Sequence, residues 1–429
     1  MTPQRESRPA SASFQLPDAT FLGGNDVELL RGSDALLPAM HEAIGRALHE
    51  VWVATYIFHD DPAALALVDA LADAARRGVR VRVVVDGFGS KAALVTLRQR
   101  LDAAGVALAV FRPVDRWWQL LQPSQFRRLH HKLCTVDGDT AFVGGVNVID
   151  DRNDLRHGWS EAPRLDFAVR VRGPVVAPIE HTARALWQRA WFGRDFRHEV
   201  IAIARSAEPL ARAKRMLATL RIGQPADALP ATAAHDERPV RCAFVVRDNL
   251  RRRRSIERAY IEAIRGANTR VDLASPYFYP GRAFRRVLRD AARRGVRVRL
   301  LLQGKLDYRF AGLAAQVLYE ELLADGVRVF EYMPAFLHAK VALADADWAT
   351  IGSSNIDPLS LLLNLEANLI VRDRTFTNEL AREFDAACAA SREVDASHLG
   401  AGFWRTVQRG LVAWCAHVYL RMAGITGRY

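Results

Sequence analysis

Asp73 to Arg82 reads DAARRGVRVR, and Asp290 to Arg299 reads the same ten residues. The run is a junction: an alanine- and arginine-rich helical end, a glycine stop, then alternating Val and Arg in the two-residue period of a strand. Upstream, AIGRALHEVWVATYIF (Ala43–Phe58) parallels AIRGANTRVDLASPYF (Ala263–Phe278). The halves align in an ordered series whose offset drifts between about 208 and 220 residues, so the chain is a duplication.

Periodicity alternates within each half. Residues 33–49 and 62–77 carry helical spacing, and 51–58 and 79–86 are β-branched runs of strand length. The second half repeats this with helical spacing at 254–267, 281–294 and about 311–325, and strands at 271–275, 296–303 and 327–332. Strand alternating with helix predicts two α/β halves with largely parallel central sheets, related by a pseudo-twofold. The expected organisation is a tail (1–24), a first domain (25–203), an Ala-, Pro- and charge-rich linker (204–238), a second domain (239–391) and a C-terminal segment (392–429) without a counterpart.

Near the end of each half stands one polar pattern. His130-His131-Lys132 is followed by Asp137 and Gly144-Gly145-Val146-Asn147; His338-Ala339-Lys340 is followed by Asp345 and Gly352-Ser353-Ser354-Asn355. His and Lys two apart on an extended chain share a face. Two halves about one point would gather two imidazoles, two ammonium groups and two amides. Imidazole is poised near neutral pH to be nucleophile or general acid, and the cations and amides suit a phosphoryl oxyanion. This protein-supplied charge requires neither metal nor cofactor. The chain writes nearly all its positive charge as Arg and keeps five lysines, Lys91, Lys132, Lys214, Lys305 and Lys340. Chance alone would give roughly 0.14 His-x-Lys pairs; there are two, in register. Lys91 and Lys305 follow strands ending in Val-Asp-Gly and Leu-Gln-Gly, where open α/β sheets place ligands, and are candidate phosphate contacts.

Composition narrows the class. The 429 residues are half hydrophobic and a quarter charged, enough for a sizeable core and unlike a disordered chain. Sixty Lys+Arg against 48 Asp+Glu give a net charge of +12, which favours an anionic partner, nucleic acid or membrane surface. Four cysteines without C-x-x-C spacing argue against a zinc site or a disulfide framework. Met1 to Pro17 lacks a signal peptide's apolar region, and no uncharged apolar run approaches the roughly 20 residues of a membrane span. A soluble or peripheral protein in a reducing compartment is expected.

The paired H-x-K-x4-D motifs, each followed by G-[GS]-x-N, resemble the phospholipase D superfamily. FRRLHHK at 126–132 and IGSSNIDPLSLLLNLEAN at 351–368 are similar to bacterial cardiolipin synthases of the shorter type, which lack N-terminal transmembrane helices. The resemblance covers about residues 25–390. It implies phosphatidyl transfer through a phosphohistidine, with two phosphatidylglycerol molecules giving cardiolipin and glycerol. By motif position the catalytic set is His130, Lys132, Asp137, His338, Lys340 and Asp345. His130 is the expected nucleophile and His338 the acid/base, while the two aspartates brace the turn. Asn147, Asn355 and Ser353 are expected to bind substrate, and Asp166 and Glu366 to orient the histidines. Gly145 departs from the serine many members carry, which removes one hydroxyl from the first half. The implied partner is an anionic phospholipid membrane surface and not nucleic acid, with the enzyme peripheral on the cytoplasmic face of the inner membrane. One chain completes one site, so a monomer suffices.

Lesser signals have two readings each. Arg251 to Arg254 is by default a solvated helix start, and otherwise a headgroup patch. Trp117 and Trp118 could meet a bilayer interface or the core. Tyr56, Tyr277 and Tyr279 at strand ends read by default as aromatic core, and otherwise as lining of the site; His131 reads as packing or surface. Trp404, Val407, Leu411, Trp414 and Val418 recur at helical spacing among arginines, as in a helix lying on an anionic surface or docked on its own domain. The rival functions are a phospholipid hydrolase, a superfamily endonuclease and a non-enzymatic lipid-binding protein.

Overall fold

A computed structural model describes residues 20–114, 125, 127–155, 157–204, 211, 216–223, 238–248, 252–305, 318–357 and 364–395. The first half runs β1 (Asp26–Arg31), α1 (Gly32–Gly45), β2 (Glu50–Thr55), α2 (Pro62–Arg76), β3 (Arg80–Asp86), a 3-10 turn (Lys91–Ala93), α3 (Leu94–Ala103), β4 (Ala107–Phe111), β5 (Leu133–Val136), β6 (Thr140–Gly144), β7 (Asn153–Asp154), β8 (Gly158–Trp159), β9 (Phe167–Arg172) and α4 (Val176–Ala204). The second runs β10 (Arg241–Arg247), α5 (Ser255–Gly266), β11 (Arg270–Ser275), α6 (Arg282–Arg293), β12 (Arg297–Gln303), β13 (Arg328–Tyr332), β14 (Val341–Ala344), β15 (Trp348–Gly352), β16 (Glu366–Arg372), α7 (Arg374–Ala389) and β17 (Ser391–Glu393).

The repeated decapeptide does what its residues dictate. α2 starts on Pro62 with the Asp61 carboxylate accepting from the Ala64 N–H at 2.9 Å, and its apolar face (Leu67, Val68, Leu71, Ala74) is buried. Gly78 and Gly295 then take φ of +92° and +89°, a left-handed turn that Gly enters without a Cβ clash. Each turn launches a strand.

The sheets have the orders β1-β9-β6-β5-β2-β3-β4 and β10-β16-β15-β14-β11-β12-β13-β17. The two α/β halves are as expected, but parallel pairing is confined to β2-β3-β4 and β11-β12-β13. The motif strands pair antiparallel, β2 with β5 and β5 with β6, and β11 with β14 and β14 with β15. The reason is local: β5 joins β6, and β14 joins β15, through tight turns at Asp137 and Asp345, with no crossover helix.

One face of each sheet is covered by helices, α1 to α3 on the first and α5 with α6 on the second. The other faces share a core in which Val143, Val169 and Val171 meet Val341, Ile351 and Leu369, flanked by α4 and α7. Two boundaries move. Phe21 and Leu22, assigned to the tail, are buried, and Leu22 exchanges two 2.8 Å backbone hydrogen bonds with Cys242 on the second sheet. Residues 391–393 pair with β13, so the second half extends past 391. Residues 1–19 of the tail, most of the linker, the Trp117-Trp118 loop, Arg251 and the segment 396–429 lie outside the described residues.

Candidate active site

Both motifs stand at one end of their sheets, where β2 and β11 finish and β5 and β14 begin. Each His-x-Lys segment is extended chain just before its strand. It is pinned to the other half: Leu129 bridges Leu365, and Leu337 bridges Leu165, both in parallel. His130 N–H donates to the Leu365 carbonyl at 3.0 Å, and His338 N–H to the Leu165 carbonyl at 2.9 Å.

This seam crosses the wiring of the site. Glu366, from the second half, lies 2.9 Å from His130 Nδ1; Asp166, from the first half, lies 2.5 Å from His338 Nδ1. Ionised carboxylates only accept, so each Nδ1 carries the proton and each Nε2 presents a lone pair. Neither histidine is oriented by its own half.

Lys132 Nζ donates to the His130 carbonyl at 2.9 Å, and Lys340 Nζ to the His338 carbonyl. Both ammonium groups are buried. Burial lowers Lys132 to about 7, with the Lys340 charge adding to it, and lowers Lys340 to about 8, with the Arg164 charge adding to it. Burial lowers His130, against the pull of Glu366, and lowers His338 further, with Lys340 and Arg164 adding to it. Asp166 is pushed up to about 6, again by burial.

Asn147 and Asn355 are buried on the turns after β6 and β15. The Asn147 carbonyl accepts from Ile57 N–H at 3.2 Å, which leaves its NH2 group as the donor for a ligand. The Asn355 side-chain oxygen Oδ1 is buried without a hydrogen-bond partner among the described residues. Ser353 is placed differently from the expected substrate contact: its hydroxyl donates to Glu366 Oε2 at 2.5 Å. At Gly145, the equivalent position, an added Cβ would meet the Asp166 carboxylate. Asp137 and Asp345 sit at φ of 52° each and receive the backbone N–H groups that open β2 and β11, those of Leu48, His49 and Glu50 and of Asn268, Thr269 and Arg270. They are turn braces, away from the imidazoles.

Lys91 and Lys305 are exposed at the same end. Lys91 opens the 3-10 turn, and Lys305 Nζ donates to the Pro334 carbonyl at 3.0 Å. Tyr56 follows the site-lining reading and not the core one: its ring tilts against His130 at 4.8 Å and lies 5.4 Å beneath the Lys132 ammonium. His131 is fully buried on the opposite face. Sequence reading missed Asp86 and Gln303, the last residues of β3 and β12. Asp86 Oδ2 accepts from Leu129 N–H at 2.9 Å and Gln303 Oε1 from Leu337 N–H at 2.5 Å, each just before a motif histidine. Their signal in the sequence is the Val-Asp-Gly and Leu-Gln-Gly strand ends themselves, just ahead of Lys91 and Lys305. Among the described residues no three His, Cys, Asp or Glu side chains converge as a metal cage.

Comparisons with known proteins agree with this geometry. The family described as "Cardiolipin synthase, PLD-like domain" matches residues 40–157 and 260–388. Cardiolipin synthase B of Salmonella typhimurium is 35% identical over 402 residues, covering 91% of this chain and 87% of that protein. Cardiolipin synthase A of Pseudomonas putida is 32% identical over 395 residues, covering 91% of this chain and 75% of that one. The crystal structure of phosphatidylserine synthase from Haemophilus influenzae shares the fold with a TM-score of 0.63 at 13% identity, covering 94% of this chain and 96% of that one. Duplicated motifs, crossed carboxylates and a match spanning both halves place the chain in the cardiolipin synthase family of phospholipase D-like enzymes.

Proposed function

We propose that this phosphatidyltransferase makes cardiolipin from two phosphatidylglycerol molecules by two displacements at phosphorus. In the first, His130 Nε2 attacks phosphorus, the bond from phosphorus to the glycerol oxygen breaks, and His338 gives its Nε2 proton to the departing alkoxide. In the second, His338 takes the proton of the acceptor's hydroxyl, the acceptor oxygen attacks phosphorus, and the bond to His130 breaks. Splitting one hard step into two is covalent catalysis. Lys132, Lys340 and the Asn147 amide hold the phosphoryl oxygens. The anionic phosphodiester favours protonation of both lysines and of His338 on binding.

The carrying observation is the crossed pair: two imidazoles with Nδ1 held by carboxylates and Nε2 open, beside two buried ammonium groups. A second reading exchanges the histidines' roles, because burial depresses His338 further and so favours its neutral, nucleophilic form. The site closes between halves of one chain, so a monomer suffices, and no helix among the described residues is long and apolar enough to cross a membrane. The protein works as a peripheral enzyme, on the cytoplasmic face of the inner membrane.

The test is purified protein on phosphatidylglycerol vesicles with lipid products resolved by mass. Cardiolipin and glycerol from the wild type, and neither from His130→Ala, are expected. Phosphatidic acid instead would make the protein a hydrolase; DNA cleavage without lipid turnover would make it a nuclease.

A further inference from the structure

The loop that follows the motif differs in length between the halves. Eighteen residues lie between Asn147 and Asp166, and ten between Asn355 and Glu366. The extra chain in the first half forms the β7–β8 hairpin, in which Asn153 pairs with Trp159 and Asp154 with Gly158. Because it lies between β6 and β9, it stands at the catalytic end of the sheet. The hairpin is anchored at its base. Asn153 Nδ2 donates to Asp61 at 3.1 Å, Asp154 pairs with His157 Nδ1 at 2.9 Å, and His157 stacks on Phe336 at 5.3 Å, two residues before His338.

Its apolar side chains nevertheless face water: Trp159 is 62% exposed and Leu155 50%. Two other large exposed apolar residues follow strands ending at this same end, Phe88 after β3 at 48% and Met333 after β13 at 40%. Lys91 and Lys305, the exposed cations of the flanking loops, stand there too. Tryptophan beside aliphatic residues with cations around them is the composition of a bilayer interface contact, where the indole sits at headgroup depth and ammonium groups meet phosphate. The fold does not require such a hairpin, since the second half reaches its acidic residue in eight fewer positions.

We infer that the β7–β8 hairpin is a bilayer-docking wedge: Leu155 and Trp159 enter the interface, Phe88 and Met333 rest on it, and Lys91 and Lys305 contact anionic headgroups, holding the mouth of the site against the lipid surface. This rests on the reading that the substrate is a membrane phospholipid.

The experiment compares wild type with the Leu155→Ser/Trp159→Ser double variant on vesicles of equal parts phosphatidylglycerol and phosphatidylcholine, and on a short-chain phosphatidylglycerol kept monomeric. Both side chains are exposed, so the variant keeps its fold, which its melting temperature checks. The expected result is sedimentation with vesicles about tenfold weaker, an equal fall in vesicle turnover, and unchanged turnover of the monomeric lipid. Lys91→Ala and Lys305→Ala each weaken sedimentation by about fivefold at low salt. Unchanged sedimentation of the double variant overturns the proposal, as does an equal loss on monomeric lipid. A change of oligomeric state with sedimentation intact overturns it as well, by assigning the hairpin to a protein contact. Absence of phospholipid turnover by the wild type in either form would defeat the functional reading, while the sedimentation ratio would still decide the docking surface.

Discussion

The first and second halves carry the same motif and orient it differently. In the first, the acidic residue is Asp166, and both its oxygens are engaged: Oδ1 accepts from the Phe167 N–H at 2.8 Å and Oδ2 faces His338. In the second, the acidic residue is Glu366, whose Oε2 takes both His130 and the Ser353 hydroxyl while Oε1 is buried without a hydrogen-bond partner among the described residues. Tyr56 packs on His130, and the equivalent residue of the second half is Pro276. Brace residues differ too, a carboxylate at Asp86 and an amide at Gln303. Duplication supplied two copies of the phosphate-handling groups. The divergence lies in what surrounds each histidine, which fits the proposed division into nucleophile and acid/base.

The largest effects test whether the histidines have different roles. His130→Ala and His338→Ala should each lower transfer by about 10⁴-fold or more. With a donor whose leaving group needs no proton, only His338→Ala should accumulate phosphorylated enzyme, on the peptide containing His130. Phosphate on the His338 peptide in His130→Ala would reverse the roles and keep the rest of the site.

The acids come next. Asn at position 166 cannot accept on both oxygens, so Asp166→Asn must lose either the Phe167 N–H or the His338 contact. A fall in kcat of about 10³-fold is expected. Gln at 366 can keep its carbonyl oxygen toward His130 and Ser353 and place its amide on the unpartnered side, so Glu366→Gln should cost about tenfold. Equal losses would mean that the difference in wiring has no consequence.

The pH dependence sharpens the same point. Asp166 must be ionised to hold His338, and its value of about 6 sets the acid limb, so kcat/KM rises as pH passes upward through that value. Lys132 and Lys340 must be protonated to hold phosphate, so kcat/KM falls as pH rises through about 7 to 8. Bound phosphodiester stabilises the ammonium forms, which displaces the alkaline limb of kcat upward relative to that of kcat/KM. In Lys340→Met the alkaline limb should simplify to a single step.

The smallest effects come from exchanging the halves' small residues. Gly145→Ser drives a Cβ into the Asp166 carboxylate and should lower activity by about tenfold and stability by about 1–3 kcal/mol. Ser353→Gly removes one donor from Glu366 and should cost about threefold in activity. Thermal melts and steady-state rates check both, and a neutral Gly145→Ser would refute the close approach.

Much of the site was legible because it is written twice. One His-x-Lys is weak, but two at matching distance from Asp, Gly and Asn leave little room for chance, and the junctions at Gly78 and Gly295 repeat the fold signal. Asp166 and Glu366 could be named from motif position, yet which histidine each holds could not, since their spacing to either histidine carries no direction. Tyr56 keeps two readings in the sequence because a strand-end aromatic has the same local pattern whether it lines a site or fills a layer. Asp86 and Gln303 act on backbone N–H groups about forty residues away, and hydrogen bonds of that kind leave no mark on composition or period.

What the sequence determined by itself is the duplication, the α/β alternation and the identity of the paired chemical groups, because periodicity and repeated spacing are local properties of the chain. Tertiary structure alone decided the antiparallel turn of the motif strands, the crossing of carboxylates between halves, the diversion of Ser353 to Glu366 and the lowered basicity of the two lysines. Each of these depends on which surfaces exclude water together. That is settled only when the two sheets close face to face and bury four charged groups at one seam.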